Sequence, residues 1–339
     1  MKKYELAITG NAFQFMIDAI EKGKESENTL EVYRKAIMHA KIYARMSPDH
    51  KAMLVEELQN NMKEMIGMWG DGANDCKALK AADLGLSLSE AEASIAAPFT
   101  SKIPNISPMI QLLKEGRASI VTCFQMFKFM ALYSMIQFST VIILYNIGSN
   151  LGNWQFLYID LFLVIPLSLT MSRTGPHEKL DKSRPTGNLI SFTVLFSVIS
   201  QIMVQSGVQA AVFMTLKAQS WFEPLVPEGD KNIKWQENTT LFLLSLTQYI
   251  IVVIAFSVGK PFRKPMWTNY WLIGWIILFG TIAYLMILTP PNFVMNIMEL
   301  VSLPFEFRLV IVGFSVANLI LSYGLEKVYN FWYSQGARS

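Results

Sequence analysis

Cysteine and histidine are scarce in these 339 residues, with two of the first and three of the second, and charged side chains make up only 16%. Cys76 and Cys123 form no spaced pattern, which leaves a disulfide framework and a cysteine-built metal site without support. A net charge of +3 gives no reason to expect a nucleic-acid partner. The opening MKKYELAITG has two lysines but no apolar run of signal-peptide length. No fixed-period repeat and no low-complexity tract is present. Soluble domains carry about a quarter charged residues, and the shortfall here is uneven. Up to about residue 117 Lys, Glu and Asp occur throughout; beyond it, long apolar runs alternate with short polar ones. The expected organisation is a soluble segment over 1–117 and a membrane domain over 118–339.

An apolar stretch of about 20 residues crosses a bilayer as a helix. Six such stretches occur, at roughly 121–146, 154–172, 190–216, 239–259, 269–289 and 308–330. Connections rich in Lys and Arg stay in the cytosol. The one after the second stretch carries Arg173, Lys179, Lys182 and Arg184, and the one after the fourth carries Lys260, Arg263 and Lys264. Those after the first and fifth have no Lys or Arg, and Glu223, Glu228, Asp230 and Glu237 offset the lysines of the third. Both termini and residues 1–117 are therefore expected in the cytosol, where ATP is available. Ionisable residues inside spans are rare and informative. Asp160, in WQFLYIDLFLVIPLSL, reads as the only carboxylate well inside a span and as a cation-site candidate. Gln137, Tyr133 and Tyr145 are candidate polar and aromatic walls. Lys128, near a span end, is expected to reach outward along its stem.

The soluble segment alternates strand and helix. YELAITG, KIYARM, EMIGMWG and LGLSLS read as strands; NAFQFMIDAIEKG, SENTLEVYRKAIMHA, DHKAMLVEELQNN and CKALKAA read as helices. This is an α/β pattern with parallel strands, whose ligands sit at strand carboxyl ends. Three polar clusters fall there: Thr9-Gly10, the turn Ser47–Lys51, and Gly70–Asp75. In GDGANDC two glycines let the chain turn sharply after an apolar strand. Asp71 and Asp75 offer hard oxygens suited to Mg²⁺, which takes few protein ligands. Asn74 can donate to a phosphate oxygen. Lys51, one turn into a helix, can meet a phosphate as a point charge. Thr9 can bind a phosphoryl group through its hydroxyl and main-chain N–H.

Thr9-Gly10, the SPDHK turn and GDGANDC occur in the order and spacing of P-type ATPases, whose phosphorylation domain is haloacid dehalogenase-like, and the resemblance continues through six spans, the family's fifth to tenth. GDGANDCKALKAADLGLSLSEAEASIAAPFTS, ARMSPDHKAMLVEELQ, SNLGNWQFLYIDL and GKPFRKP resemble subgroup five-B, whose members include polyamine exporters of late endosomes and lysosomes. The resemblance implies ATP and Mg²⁺ as cofactors. It implies Asp71 as the Mg²⁺ ligand with Asp75 beside it, Thr9 and Asn74 contacting the phosphoryl group, and Lys51 neutralising it. It also implies an aspartyl-phosphate mechanism, a polyamine or other cation as cargo, and the bilayer and the rest of the ATPase as partners.

The sequence departs from that family in several places. No DKTGT-type string supplies a phosphorylated aspartate, and no nucleotide-binding domain, actuator domain or first four spans are found. The 339 residues are expected to be inactive alone. Asn11, Lys77 and Asn153 stand where relatives more often have Asp, Gly and an acidic residue. Two alternatives stay open: a non-enzymatic membrane regulator or scaffold derived from a pump, and a pump for an inorganic cation.

Overall fold

The short apolar run Leu6–Thr9 forms β1 and leads directly into helix α1, Gly10–Glu21. This computed structural model describes residues 5–21, 27–88, 90, 92–225 and 232–336. They fall into two compact units, Met1–Leu113 and Lys114–Ser339.

In the first unit, helix α2 (Glu27–His39) runs into β2 (Ala40–Ala44), which pairs parallel with β1, Thr9 opposite Ala44. Phe13 and Ile17 on α1 and Tyr33 and Ile37 on α2 recur every four residues, so each pair shares a helix face. With Ile8 they form a buried cluster. Helix α3 (Pro48–Asn60) is followed by β3 (Gly67–Gly70), a single 3₁₀ turn Ala73–Asp75, helix α4 (Cys76–Ala81), β4 (Leu84–Leu88) and β5 (Phe99–Ser101). Strands β3, β4 and β5 form a second parallel sheet in that order. Asp83 ties α3 to this sheet, accepting from Gln59 Nε2 at 2.9 Å and the Ile66 N–H at 2.8 Å. The Gln59 hydrogen bond first, then that of Ile66, holds its carboxyl below the usual range. The expected α/β pattern with parallel strands appears as two small parallel sheets, because no strand among the described residues pairs with the free edge of β1 or of β3.

In the second unit six helices are long and apolar enough to cross a membrane. Helix α5 (Ser107–Tyr145) carries the first span, followed by α6 (Asn153–Met171), α7 (Phe192–Lys217), α8 (Gln236–Phe256), α9 (Tyr270–Leu288), the short α10 (Asn292–Ile297) and α11 (Phe305–Gly336). Helix α8 lies at the centre of the unit, with 94% of its apolar window buried. Around it the outer helices turn residues such as Phe138, Met203, Met214 and Ile320 outward, as lipid-facing helices do. Ser197, Gln201, Gln205 and Gln209, four residues apart on one face of α7, are all buried. They bond across to α5, α8 and α11: Gln209 to Thr140 at 2.9 Å and Gln248 at 2.8 Å, Gln205 to Asn318 at 3.1 Å and Ser322 at 2.8 Å. Gln201 and Gln209 are held through their Nε2 groups, while their Oε1 atoms are buried without a hydrogen-bond partner among the described residues.

The two basic connections meet at one end of this unit. The His177 N–H donates to Phe262 O and the Lys264 N–H to Gly175 O, both at 2.9 Å. At the other end the Ser149 hydroxyl donates to Asn232 O at 2.7 Å, and Gln155 Nε2 donates to Met298 O at 2.8 Å. Glu228, Asp230 and Lys231, used in the charge argument, lie outside the described residues. Arg263 is fully buried and fastens the basic end, donating to Met171 O at 2.7 Å, to Thr174 O at 3.4 Å and to Gln125 Oε1. Burial lowers its pKa to about 10, still well above neutral, so it remains charged. Arg263→Met leaves these acceptors without a donor, an expected loss of about 2–4 kcal/mol. Thermal unfolding of the complete protein in detergent checks this: the variant should melt several degrees lower, with Arg263→Lys between it and the parent.

Lys128 departs from expectation. It does not reach outward but is 7% exposed, donating to Ser197 Oγ at 2.7 Å. It sits 3.6 Å from Glu326 of α11 and 5.2 and 4.6 Å from the ring centroids of Phe256 and Tyr329. Glu326, 2% exposed, and Glu237, 1% exposed at the start of α8, are thus buried carboxylates within the spans, and the half-buried Asp160 is not alone. A paired cation between two rings has no need of water.

Candidate functional site

Strand β1 ends at Thr9, whose hydroxyl accepts from the Ala12 N–H at 3.4 Å and so marks the start of α1. Gly10 is required next, since a Cβ there would run into the carbonyl oxygen of Arg45. Arg45 itself sits at φ 54°, the left-handed turn that carries β2 toward α3. Ser47 caps α3 by accepting from the His50 N–H at 3.1 Å, and Pro48 fills the first turn. This fixes the turn on which Lys51 stands.

Lys51 Nζ lies 2.8 Å from Asp75 Oδ1, both side chains largely buried. Asp75 Oδ2 also accepts from the Gly72 N–H at 3.4 Å, closing the GDGAND turn on itself. Gly70 makes room for this, because a Cβ there would stand 2.6 Å from Asp75 Cβ. Asp71 and Asn74 are exposed on the same turn, and Asp71 has no hydrogen-bond or ion-pair partner among the described residues. The structure thus joins Lys51 to Asp75, places Asp71 and Asn74 on the rim, and puts Thr9 at the end of the other sheet. Lys77 pairs with Asp49 at 2.5 Å and holds that carboxyl below its usual range. Both are well exposed, so the pair adds little stability.

Among the described residues no three His, Cys, Asp or Glu side chains gather to hold a metal. With Asp75 engaged by Lys51, Asp71 is the carboxylate left to a cation. That donor set fits Mg²⁺ held mainly by water and phosphate oxygens rather than by a protein cage.

Asp160 lies on α6 within a π-helical segment, Tyr158–Val164, in which the Ile165 N–H reaches back to Asp160 O. Pro166, which has no N–H, follows directly. Single π-helical turns re-aim side chains and favour functional positions. Tyr133 Oη donates to Asp160 Oδ1 at 2.9 Å, and the Tyr133 ring is 6.0 Å from that of Tyr249 on α8. Gln137 is half-buried one turn farther along α5, with no hydrogen bond to Asp160. Tyr145 is 68% exposed and stands apart from this cluster. Tyr249 of α8, not singled out in the sequence, joins it.

The family model described as "Cation transporting ATPase, C-terminus" matches residues 149–328, more than half of the 339. The chain belongs to the cation-transporting P-type ATPases. Polyamine-transporting ATPase 13A3 of Homo sapiens is 39% identical over 98% of the chain and 28% of its own length. Vacuolar cation-transporting ATPase YPK9 of Saccharomyces cerevisiae is 41% identical over 93% of the chain and 21% of its own length. Polyamine-transporting ATPase 13A2 of Mus musculus is 43% identical over 87% and 25%. The chain therefore spans about a quarter of the length of the curated relatives it matches, and it corresponds to the C-terminal portion of these subgroup five-B ATPases.

Proposed function

We propose that these residues are the C-terminal part of an ATP-driven transporter that works through an aspartyl-phosphate and moves polyamines from an endosomal or lysosomal lumen to the cytosol. The observation that carries this reading is the sheet arrangement around the polar clusters. Strands β1 and β3 each have one free edge, and each ends in a polar turn: Thr9 on one, Asp71 on the other. One parallel strand set between them would complete a single haloacid dehalogenase-like sheet. Its carboxyl end would then lie beside both turns, where a phosphorylated aspartate from the rest of the ATPase belongs. Asp71 would hold Mg²⁺, which supplies charge neutralisation to the transferring phosphoryl group. Thr9 and Asn74 would donate to phosphoryl oxygens. Lys51 would serve the same charge while bracing Asp75. These residues position and neutralise; none of them is the nucleophile, so residues 1–339 alone should not hydrolyse ATP.

In the membrane unit a carboxylate beside two tyrosine rings suits an ammonium group, which gains roughly 0.5–2 kcal/mol over an aromatic face. The name of the yeast relative places it at the vacuole and the names of two mammalian relatives specify polyamines, which supports this cargo and an endomembrane site; the Lys- and Arg-rich connections support both termini being cytosolic. The test is ATP hydrolysis by the complete protein in liposomes. Spermine should stimulate it several-fold. Stimulation by a metal ion and by no polyamine would keep the pump and discard the cargo, and no ATP hydrolysis at all would favour the scaffold.

A further inference from the structure

A cavity of about 580 Å³ opens at the basic end of the second unit. Phe124 of α5, Val194 of α7 and Phe262 form apolar walls, and the buried Lys128 lines the cavity. Lys179 and Lys260 also line it, both exposed, and neither ammonium has a hydrogen-bond or ion-pair partner among the described residues. The frame is ordered. The two loops are joined through Phe262 and Gly175, and Lys114 and Arg117 donate to the carbonyls of Glu178 and Asp181.

We infer that this cavity binds one acidic phospholipid of the leaflet it opens to, with its phosphate against Lys179 and Lys260 and its chain along Phe124 and Val194. The volume falls in the range of ligand pockets, about 300–1,000 Å³. Its position supports a lipid, because Phe256 in its lining is the last residue of a span and the loops that follow sit at headgroup depth. The charge supports an anion. Glu326 already matches Lys128, which leaves the two lysines without a partner among the described residues, against one lining acid, Asp181. Basic pockets between spans recognise acidic headgroups in this way. The inference makes no use of the transport reading, so its failure would leave that reading untouched.

The complete protein in nanodiscs of phosphatidylcholine, with or without phosphatidylserine, provides the test, read as lipid retained in native mass spectra. Phosphatidylserine should be retained as a single bound copy and phosphatidylcholine should not. The double variant Lys179→Glu, Lys260→Glu should lower retention about tenfold or more, and Val194→Trp, which fills the cavity, should do the same. Soluble glycerophosphoserine should not compete. Equal retention of the two lipids, retention unchanged by the double variant, or displacement by the soluble headgroup would each overturn the assignment. If Val194→Trp does not fold, the double variant decides alone, since both lysines are exposed and have no side-chain partner among the described residues.

Discussion

Asp71→Asn in the complete ATPase should abolish phosphoenzyme formation from ATP, lowering its rate about 10³-fold or more, which is roughly 4 kcal/mol of lost transition-state stabilisation. The argument is electrostatic. The transferring phosphoryl group and its metal concentrate charge at one point, and little covalent chemistry is left to the surrounding residues. Asp71 is the carboxylate of the GDGAND turn that no cation among the described residues neutralises. Because it is exposed and without a partner among the described residues, replacing it should leave folding and membrane abundance unchanged. Asp75 differs: it is buried and bonded to Lys51. Asp75→Asn should therefore cost activity and abundance together. Phosphoenzyme measured with labelled ATP, alongside protein level in the membrane, separates the two. Near-parental phosphoenzyme in Asp71→Asn would mean that the Mg²⁺ site lies elsewhere.

The pairing that makes this contrast was only half legible in the sequence. GDGANDC after an apolar strand announces a turn with carboxylates, and the Ser47–Pro48 start of α3 announces where Lys51 stands. That Lys51 meets Asp75 and not Asp71 depends on the 3₁₀ turn Ala73–Asp75, which folds Asp75 back beneath Gly72. No local spacing shows this, since 24 residues separate the partners. Strand β5 was missed for a related reason: Phe99–Ser101 is too short for an alternation to show. Five of the six spans were legible to within a few residues because apolar length is a one-dimensional signal; the first was read from residue 121, whereas its helix begins at Ser107, in a stretch too polar to be read as span. The polar seam was not, although its signature was present. Ser197, Gln201, Gln205 and Gln209 recur every four residues and so share one helix face, a pattern easily passed over in a search for charges. Lys128 was misjudged because a lysine near a span end can ordinarily snorkel; Glu326, far away in the sequence on α11, gives it a partner inside.

Asp160→Asn, the other large effect, should remove cargo stimulation of ATP hydrolysis in the complete protein. A carboxylate inside a membrane span is costly unless paired, and here its one hydrogen-bond partner among the described residues is a phenol hydroxyl, Tyr133 Oη. That hydrogen bond orients the carboxylate without cancelling its charge, so the charge remains to attract a passing cation. Losing one partner of a hydrogen-bonded charge pair costs about 2–5 kcal/mol, at least ~30-fold in apparent spermine affinity. Asparagine keeps the shape and can still accept from Tyr133, so the helix should retain its π-helical turn and the protein its abundance. Tyr133→Phe should have the same direction and a smaller effect, because the charge stays while its orientation loosens. Neither variant alters the GDGAND turn, so phosphorylation from ATP should persist in both, and only the response to spermine or spermidine should fade. The measurement is phosphoenzyme level and its decay with and without added polyamine. Decay that still accelerates with spermine in Asp160→Asn would take Asp160 out of the transport path; loss of phosphorylation itself would show that it acts on the fold of the membrane unit instead.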